Sequence, residues 1–444
     1  MFDVVGKRYR QCDGVTRRSM LKVGALAAGS LTLADALRAR SHGGEGLTRP
    51  ADTAVIQIFL GGGPSHLDTF DLKPTAPREI RGEFREIATC VPGFRVSEHL
   101  PRLAAVMDKF TVVRSVTHTN TSHLPSSHFL QTGYNVRNAA LHQNQFPSMG
   151  SIVARLRGAN TPGLPAYTAV PRVIAFPYAS HLGAAYNPFT TEVGPDEDDF
   201  HVKNLRLVSG ISRGRLQDRD HLRQTLDTMR RDVDLHGASL GMDAFDRAAV
   251  EMITSDAAAE AFNIEAEDPR LRDRYGRTSI GQNCLLARRL VEAGVTYVTC
   301  LSGGEWDTHT DNFKTMREFS SPRIDQSISA LITDLYDRGL ERRVLVNVMG
   351  EFGRSPRINA DAGRDHWPGA MSVLFAGGDL VMGGMIGTTD RQGAYPTSTP
   401  YSPGDVLATM YRVLGIDTSH VFYDRQNRPI PVLPEGEPIA ELFG

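Results

Sequence analysis

The run Ala54-Val55-Ile56-Gln57-Ile58-Phe59-Leu60 passes directly into Gly61-Gly62-Gly63-Pro64-Ser65-His66-Leu67-Asp68. Its first half is a short apolar, β-branched stretch that reads as a strand. Its second half stops the strand with glycines and at once presents an imidazole and a carboxylate. The same pairing recurs along the chain. Further strands are expected at Phe110–Val116, Arg172–Phe176, Val295–Leu301, Arg343–Met349 and Met371–Ala376. Between them, helical periodicity is read at Leu100–Lys109, Ser148–Arg157, Ile280–Ala293, Ile324–Asp337 and Pro403–Leu414, with Gly294 and Gly339 where two of these helices stop. Strands alternating with helices predict an α/β fold around a mostly parallel sheet.

The functional signal lies in the residues just past each strand. His118, His123 and His128 come after the second, and His181 after the third. Gly303-Gly304-Glu305-Trp306-Asp307-Thr308-His309 comes after the fourth. Glu351-Phe352-Gly353-Arg354 and then Asp365-His366 come after the fifth. Ligands of parallel α/β sheets bind beyond the carboxyl ends of the strands, where the connecting loops converge. A mixed imidazole and carboxylate set suits zinc, manganese or iron better than the all-oxygen cations, and one or two such ions are expected. Taken singly, a histidine is more often a loop or core residue. His142, His201, His221 and His236 are read that way. Gly61-Gly62-Gly63 lacks the Gly-Lys-Ser/Thr ending of a P-loop, and no G-x-S-x-G elbow occurs.

Composition narrows the classes. The 444 residues are 41% hydrophobic and 23% charged with a net charge of −2, ordinary for a globular protein. Residues 1–45 carry a net +4 and the remainder −6, so no basic stripe is left for nucleic acid. Cys12, Cys90, Cys284 and Cys300 contain no C-x-x-C pair, and Cys284 and Cys300 read as small core residues. Arg17-Arg18 precedes a mild apolar run from Val23 to Leu37, interrupted by Asp35 and too weak for a membrane span. This resembles a twin-arginine export signal. Residues 1–45 are therefore expected to be a leader and 46–444 one α/β domain, periplasmic or extracellular, with a helical insertion at about 213–275. The export machinery is the expected partner, with membrane contact through the leader alone.

Four segments together carry a family resemblance. They are Gly62-Gly63-Pro64-Ser65-His66-Leu67-Asp68-Thr69-Phe70-Asp71-Leu72-Lys73-Pro74, Trp306-Asp307-Thr308-His309, Glu351-Phe352-Gly353-Arg354-Ser355-Pro356-Arg357 and Gly363-Arg364-Asp365-His366-Trp367-Pro368. On them the chain resembles the domain of unknown function 1501 family, of the alkaline-phosphatase and sulfatase-like superfamily. The resemblance implies a three-layer α/β/α fold, a divalent metal and hydrolysis of phosphate, sulfate or related esters on a small molecule or polymer.

Ser122-His123-Leu124-Pro125-Ser126-Ser127-His128-Phe129-Leu130-Gln131-Thr132-Gly133 resembles the superfamily's nucleophile helix, with His123 in the nucleophile's place. Formylglycine chemistry is thereby absent. The route is then water activated by the metal, with His123 a ligand; a covalent ester on Ser122 or Ser126; or phosphohistidine at His123. The first-strand aspartate of the pattern is replaced by Asp68 or His66. Its Asp-His-Gly becomes Glu351-Phe352-Gly353, and His366 resembles its last metal histidine. The expected ligands are His66, Asp68, His123, Asp307, His309, Glu351, Asp365 and His366. Arg354 and Arg357 are expected as oxyanion clamps. A binding protein that keeps the fold without turnover is the alternative.

Overall fold

Ala54–Phe59 forms strand β1, buried along its whole length. Its side chains alternate between two cores: Ala54, Ile56 and Ile58 enter one, and Val55 and Phe59 the other. A strand buried on both faces needs layers on both sides. The other sheet strands are β2 (Thr111–Val116), β3 (Tyr167–Val170), β4 (Phe189–Thr190), β5 (Tyr297–Leu301), β6 (Val344–Met349), β7 (Met371–Gly377) and β8 (Gly384–Ile386). In this computed structural model the described residues are 52–138, 143–198, 200–202, 251–252, 255–303 and 305–444.

The sheet order is β8-β2-β7-β6-β1-β5-β3-β4. β1 lies between β5 and β6, parallel to both, with Val55 opposite Tyr297 and Ala54 opposite Val344. β7 runs antiparallel between β6 and β2, and the remaining pairs are parallel. One core takes helices α3 (Ser279–Ala293) and α4 (Ser321–Asp337). The other takes α2 (Met149–Leu156) and α5 (Pro403–Val413). The result is the expected three-layer α/β/α arrangement with a mostly parallel sheet. Gly294 and Gly339, at φ 121° and 66°, follow α3 and α4 where a side chain would be strained. Cys284 and Cys300 are buried core residues.

Two expectations change. The third strand is Tyr167–Val170 rather than Arg172–Phe176. Pro171 ends it, since proline has no N–H for the ladder, and Ile174 and Phe176 bury their side chains from a loop instead. The expected helix Leu100–Lys109 is a short helix, Pro101–Ala105, followed by a 3₁₀ turn at Met107–Lys109. Of the expected insertion, Asp256–Ala261 and Pro269–Tyr275 are helical. Residues 213–250 of it, and the expected leader 1–45, lie outside the described residues. Among the described residues no helix is long and apolar enough to cross a membrane.

Candidate metal centre

β1, β5, β6 and β2 all point the same way, so the segments leaving their carboxyl ends meet at one edge of the sheet. β7 runs the other way, which brings the residues just before it to that edge as well. His123 opens helix α1 (His123–Thr132), which follows β2 and stops at Gly133 in the left-handed region. Asp307 and His309 follow β5, and Glu351 follows β6. His366 lies on a two-residue strand paired antiparallel with Gly353–Arg354. Gly62, at φ 111°, lies so close that a Cβ there would collide with Trp306 C at 2.7 Å and with the Asp307 backbone. Glycine is required for this contact.

Each of three imidazoles has an oxygen acceptor at its Nδ1. His309 Nδ1–H donates to Asp365 Oδ1 at 2.9 Å. His366 Nδ1–H donates to the Thr121 carbonyl at 2.9 Å. His123 Nδ1–H donates to Glu351 Oε1 at 2.5 Å. A carboxylate or carbonyl oxygen can only accept, so each Nδ1 carries a proton, and a cation beside Asp307 would find each Nε2 able to ligate it. All three Nε2 atoms face Asp307, and without a cation they hydrogen-bond to it or to one another. His309 Nε2 and His366 Nε2 are each 3.2 Å from its Oδ1 and 2.9 Å from one another, and His123 Nε2 is 3.3 Å from its Oδ2. The ligand atoms of His123, Asp307 and His366 lie within 4.8 Å of one another.

A carboxylate and three imidazole nitrogens converge here, and a positive charge, proton or metal ion, holds such a set together. Burial holds His366 below its usual pKa despite its hydrogen bonds to the Thr121 carbonyl and Asp307, with the Arg354 charge and a protonated His123 acting in the same direction as burial. A cation fits. Imidazoles anchored through Nδ1 and aimed through Nε2 are the arrangement that metal-binding histidines adopt. His123, Asp307 and His309 keep 35%, 40% and 42% of their side-chain surface exposed, which leaves the centre open to solvent.

Beneath the cluster lies a buried cation. Arg354 has no exposed side-chain surface and spends its donors on Asp307 Oδ1 (2.6 Å), Gly63 O (2.9 Å), Arg364 O (3.1 Å) and Gly62 O. Partial burial alone would raise the Asp307 carboxyl, but the Arg354 hydrogen bond and charge override it and hold the group at about 2. The His123 pKa is raised, chiefly by its hydrogen bond to Glu351. Phe352 supplies an apolar floor, its ring 4.4 Å from His366 and 5.0 Å from His123.

Asp307, His123, His309 and His366 are thus brought together, while other expected ligands take different places. Glu351 and Asp365 reach the cluster as acceptors of imidazole N–H groups, and Glu351 also accepts the Gly62 N–H at 2.9 Å. Asp68 is fully buried and outside it. Its oxygens accept from Arg364 at 2.7 and 3.1 Å, Ser65 Oγ at 2.6 Å and Asn312 Nδ2 at 3.0 Å. His66 Nε2–H donates to the Gly393 carbonyl at 2.7 Å.

The expected nucleophiles and clamps divide similarly. The Ser126 hydroxyl donates to Asn120 O at 3.0 Å, away from the cluster. Ser122 is exposed at the start of α1 and makes no side-chain capping bond. Arg354 is a buried support for Asp307, with four of its five N–H groups engaged, and Arg357 is exposed in the following loop. His128 is buried against Tyr134 O. His118 Nε2–H holds the Glu351 carbonyl at 2.8 Å. The sequence reading missed this positioning role, and it missed the Thr121 carbonyl, a backbone atom that no residue type announces.

A family model described as "Protein of unknown function (DUF1501)" matches residues 52–443. No curated protein sequence matches the chain. Three solved structures illustrate what it is similar to. The PsFucS1 sulfatase from Pseudoalteromonas sp. is 12% identical with a TM-score of 0.38, over 82% of this chain and 68% of that one. The lipoteichoic acid synthase LtaP from Listeria monocytogenes is 12% identical with a TM-score of 0.33, over 83% and 73%. The TAB5 alkaline phosphatase, a mutant with Mg bound, is 11% identical with a TM-score of 0.34, over 83% and 99%.

Proposed function

The chain belongs to the family of unknown function DUF1501, and we propose, from that membership and the centre just described, that it is an exported metal-dependent hydrolase of phosphoric or sulfuric esters. One observation carries the reading: three imidazoles anchored through Nδ1 aim their Nε2 atoms at the Asp307 carboxylate. His123, His309, His366 and Asp307 would hold the ion. Zinc, manganese or iron suits that nitrogen-rich set. A dication there polarises an ester oxygen and lowers the pKa of water toward neutrality.

The chain's own groups prepare the site. Glu351, Asp365 and the Thr121 carbonyl hold the Nδ1 protons and so fix three rings. Arg354 keeps Asp307 ionised and aimed. Phe352 closes the cluster from below, and the exposed side admits the anionic ester. If a covalent ester forms, Ser122, the exposed hydroxyl next to His123 in the chain, is the group that would carry it.

A rival reading is a binding protein that keeps the ion without turnover. Its support is the commitment of the Ser126 hydroxyl to Asn120 and the presence of His123 at the nucleophile's place. Metal analysis and an ester panel separate the two. The reading predicts about stoichiometric transition metal, lost in His309→Ala and Asp307→Ala, and turnover abolished by chelation. Unchanged metal content in both variants would overturn the ligand assignment; bound metal without turnover on any ester would favour the rival.

A further inference from the structure

His181 was expected at the strand-end cluster, but it lies elsewhere. It belongs to the 3₁₀ turn Ser180–Leu182 and lines a cleft of about 370 Å³ together with Arg137, Phe146, Asp424, Arg425 and Arg428. The cleft lies toward the other end of α1 from His123. Tyr134, just beyond that helix, stacks on Phe146 with ring centroids 3.9 Å apart.

The charges in this cleft do not cancel. Asp424 is paired with Arg428 at 2.6 Å, and it also accepts the backbone N–H groups of Gln426 and Arg428, both at 2.9 Å. It is fully engaged within its own turn. Among the described residues no carboxylate pairs with Arg137 or Arg425. The Arg137 guanidinium lies over the Phe146 ring at 4.6 Å, in series with the Tyr134 stack. Stacking fixes the plane of a guanidinium and leaves its edge N–H groups free to bind.

Two more features point to a ligand. His181 Nε2 is shielded from solvent and has no hydrogen-bond partner, which is costly for a polar atom. The wall bearing it is strained: Phe176 and Ser180 both take positive φ, 58° and 49°, without being glycine. Such strain collects at binding sites.

We infer that this cleft is a second anion-binding subsite, in which Arg137 and Arg425 take a sulfate, phosphate or carboxylate group of a polyanionic chain whose ester is attacked at the Asp307 centre. The inference rests on the proposed hydrolase reading for its second half only. A substrate that engages both places carries more than one anionic group, which makes it a polymer or oligomer rather than a small monoester.

The test measures binding of sulfated dextran fragments of graded length to metal-stripped protein. The Arg137→Gln/Arg425→Gln variant is compared with a control of equal charge loss, Arg78→Gln/Arg342→Gln. The subsite predicts about tenfold weaker binding in the first variant and less than twofold in the control, with circular dichroism and metal uptake unchanged in both. Equal losses in the two variants, or none in the first, would overturn it. The metal-loaded protein is then assayed on a small aryl ester and on a polymeric ester of the same group. Here Arg137→Gln/Arg425→Gln is expected to raise KM for the polymer alone. An equal rise for both esters would contradict the link between the sites. Absence of turnover on either ester would count against the hydrolase reading while leaving the binding result standing.

Discussion

Replacing Asp68 with Asn separates a metal ligand from a structural support. Asp68 and Arg364 have no exposed side-chain surface, and the pair is bonded twice, at 2.7 and 3.1 Å. Removing the carboxylate charge leaves a guanidinium without its counter-charge in the interior, a change that costs about 3–5 kcal/mol. Arg364 keeps three carbonyl partners, Ile80 O at 2.8 Å, Ser355 O at 3.1 Å and Pro356 O at 2.5 Å. Asn also still accepts from Ser65 or Asn312, so the lower end applies. A loss of about 3 kcal/mol, roughly a hundredfold in the folding equilibrium, is expected.

The loss should appear in chemical denaturation of the metal-free protein, because the ion pair needs no metal. A ligand role makes the opposite forecast: metal-free Asp68→Asn as stable as the wild type or more so, with the deficit confined to metal binding. Equal stability of the two metal-free proteins would refute the structural assignment. Arg364→Met on the Asp68→Asn background should restore only part of the loss, since the three carbonyls would then be unpaired.

The same geometry gives two further outcomes. Glu351→Gln should lower the His123 titration midpoint in metal-free protein, read by NMR of the imidazole, because the Glu351 hydrogen bond is the main cause of the upward shift. A raised folded-state pKa gives stability that is complete below 6.5 and lost as pH rises through the folded value, so the variant should also flatten that part of the stability profile. Arg354→Lys keeps the charge but cannot span Asp307, Gly63, Arg364 and Gly62 at once. Metal affinity should fall about 10–100-fold by competition with a chromogenic chelator, and unchanged affinity would contradict the supporting role given to Arg354.

Much of this arrangement is written in residue types at strand ends. β1, β2, β5, β6 and β7 were legible because apolar β-branched runs end at glycine or polar residues. Asp307, His309, His123 and His366 were legible because imidazole and carboxylate recur at those ends. Division of labour among the carboxylates was not legible. Asp68 is paired with an arginine 296 residues away, and whether a carboxylate meets a guanidinium, an imidazole N–H or a cation depends on folding rather than on its neighbours in the chain. Asp365 and Glu351 were expected near the centre, and their engagement with imidazole nitrogens was not legible for the same reason. Arg172–Phe176 shows a different failure: its composition suits a strand, yet Pro171 ends the ladder before it begins, and burial of Ile174 and Phe176 satisfies the same hydrophobicity without one.

Anomalous diffraction from metal-loaded crystals at the absorption edge of the bound element tests the central claim most directly. The account predicts a peak bonded to an Asp307 oxygen and to Nε2 of His123 and His366, with His309 Nε2 the next donor, at about 2.0–2.2 Å. A peak on Asp68 or His66, coordination through the Nδ1 atoms, or a fully loaded protein with no peak at Asp307 would contradict it.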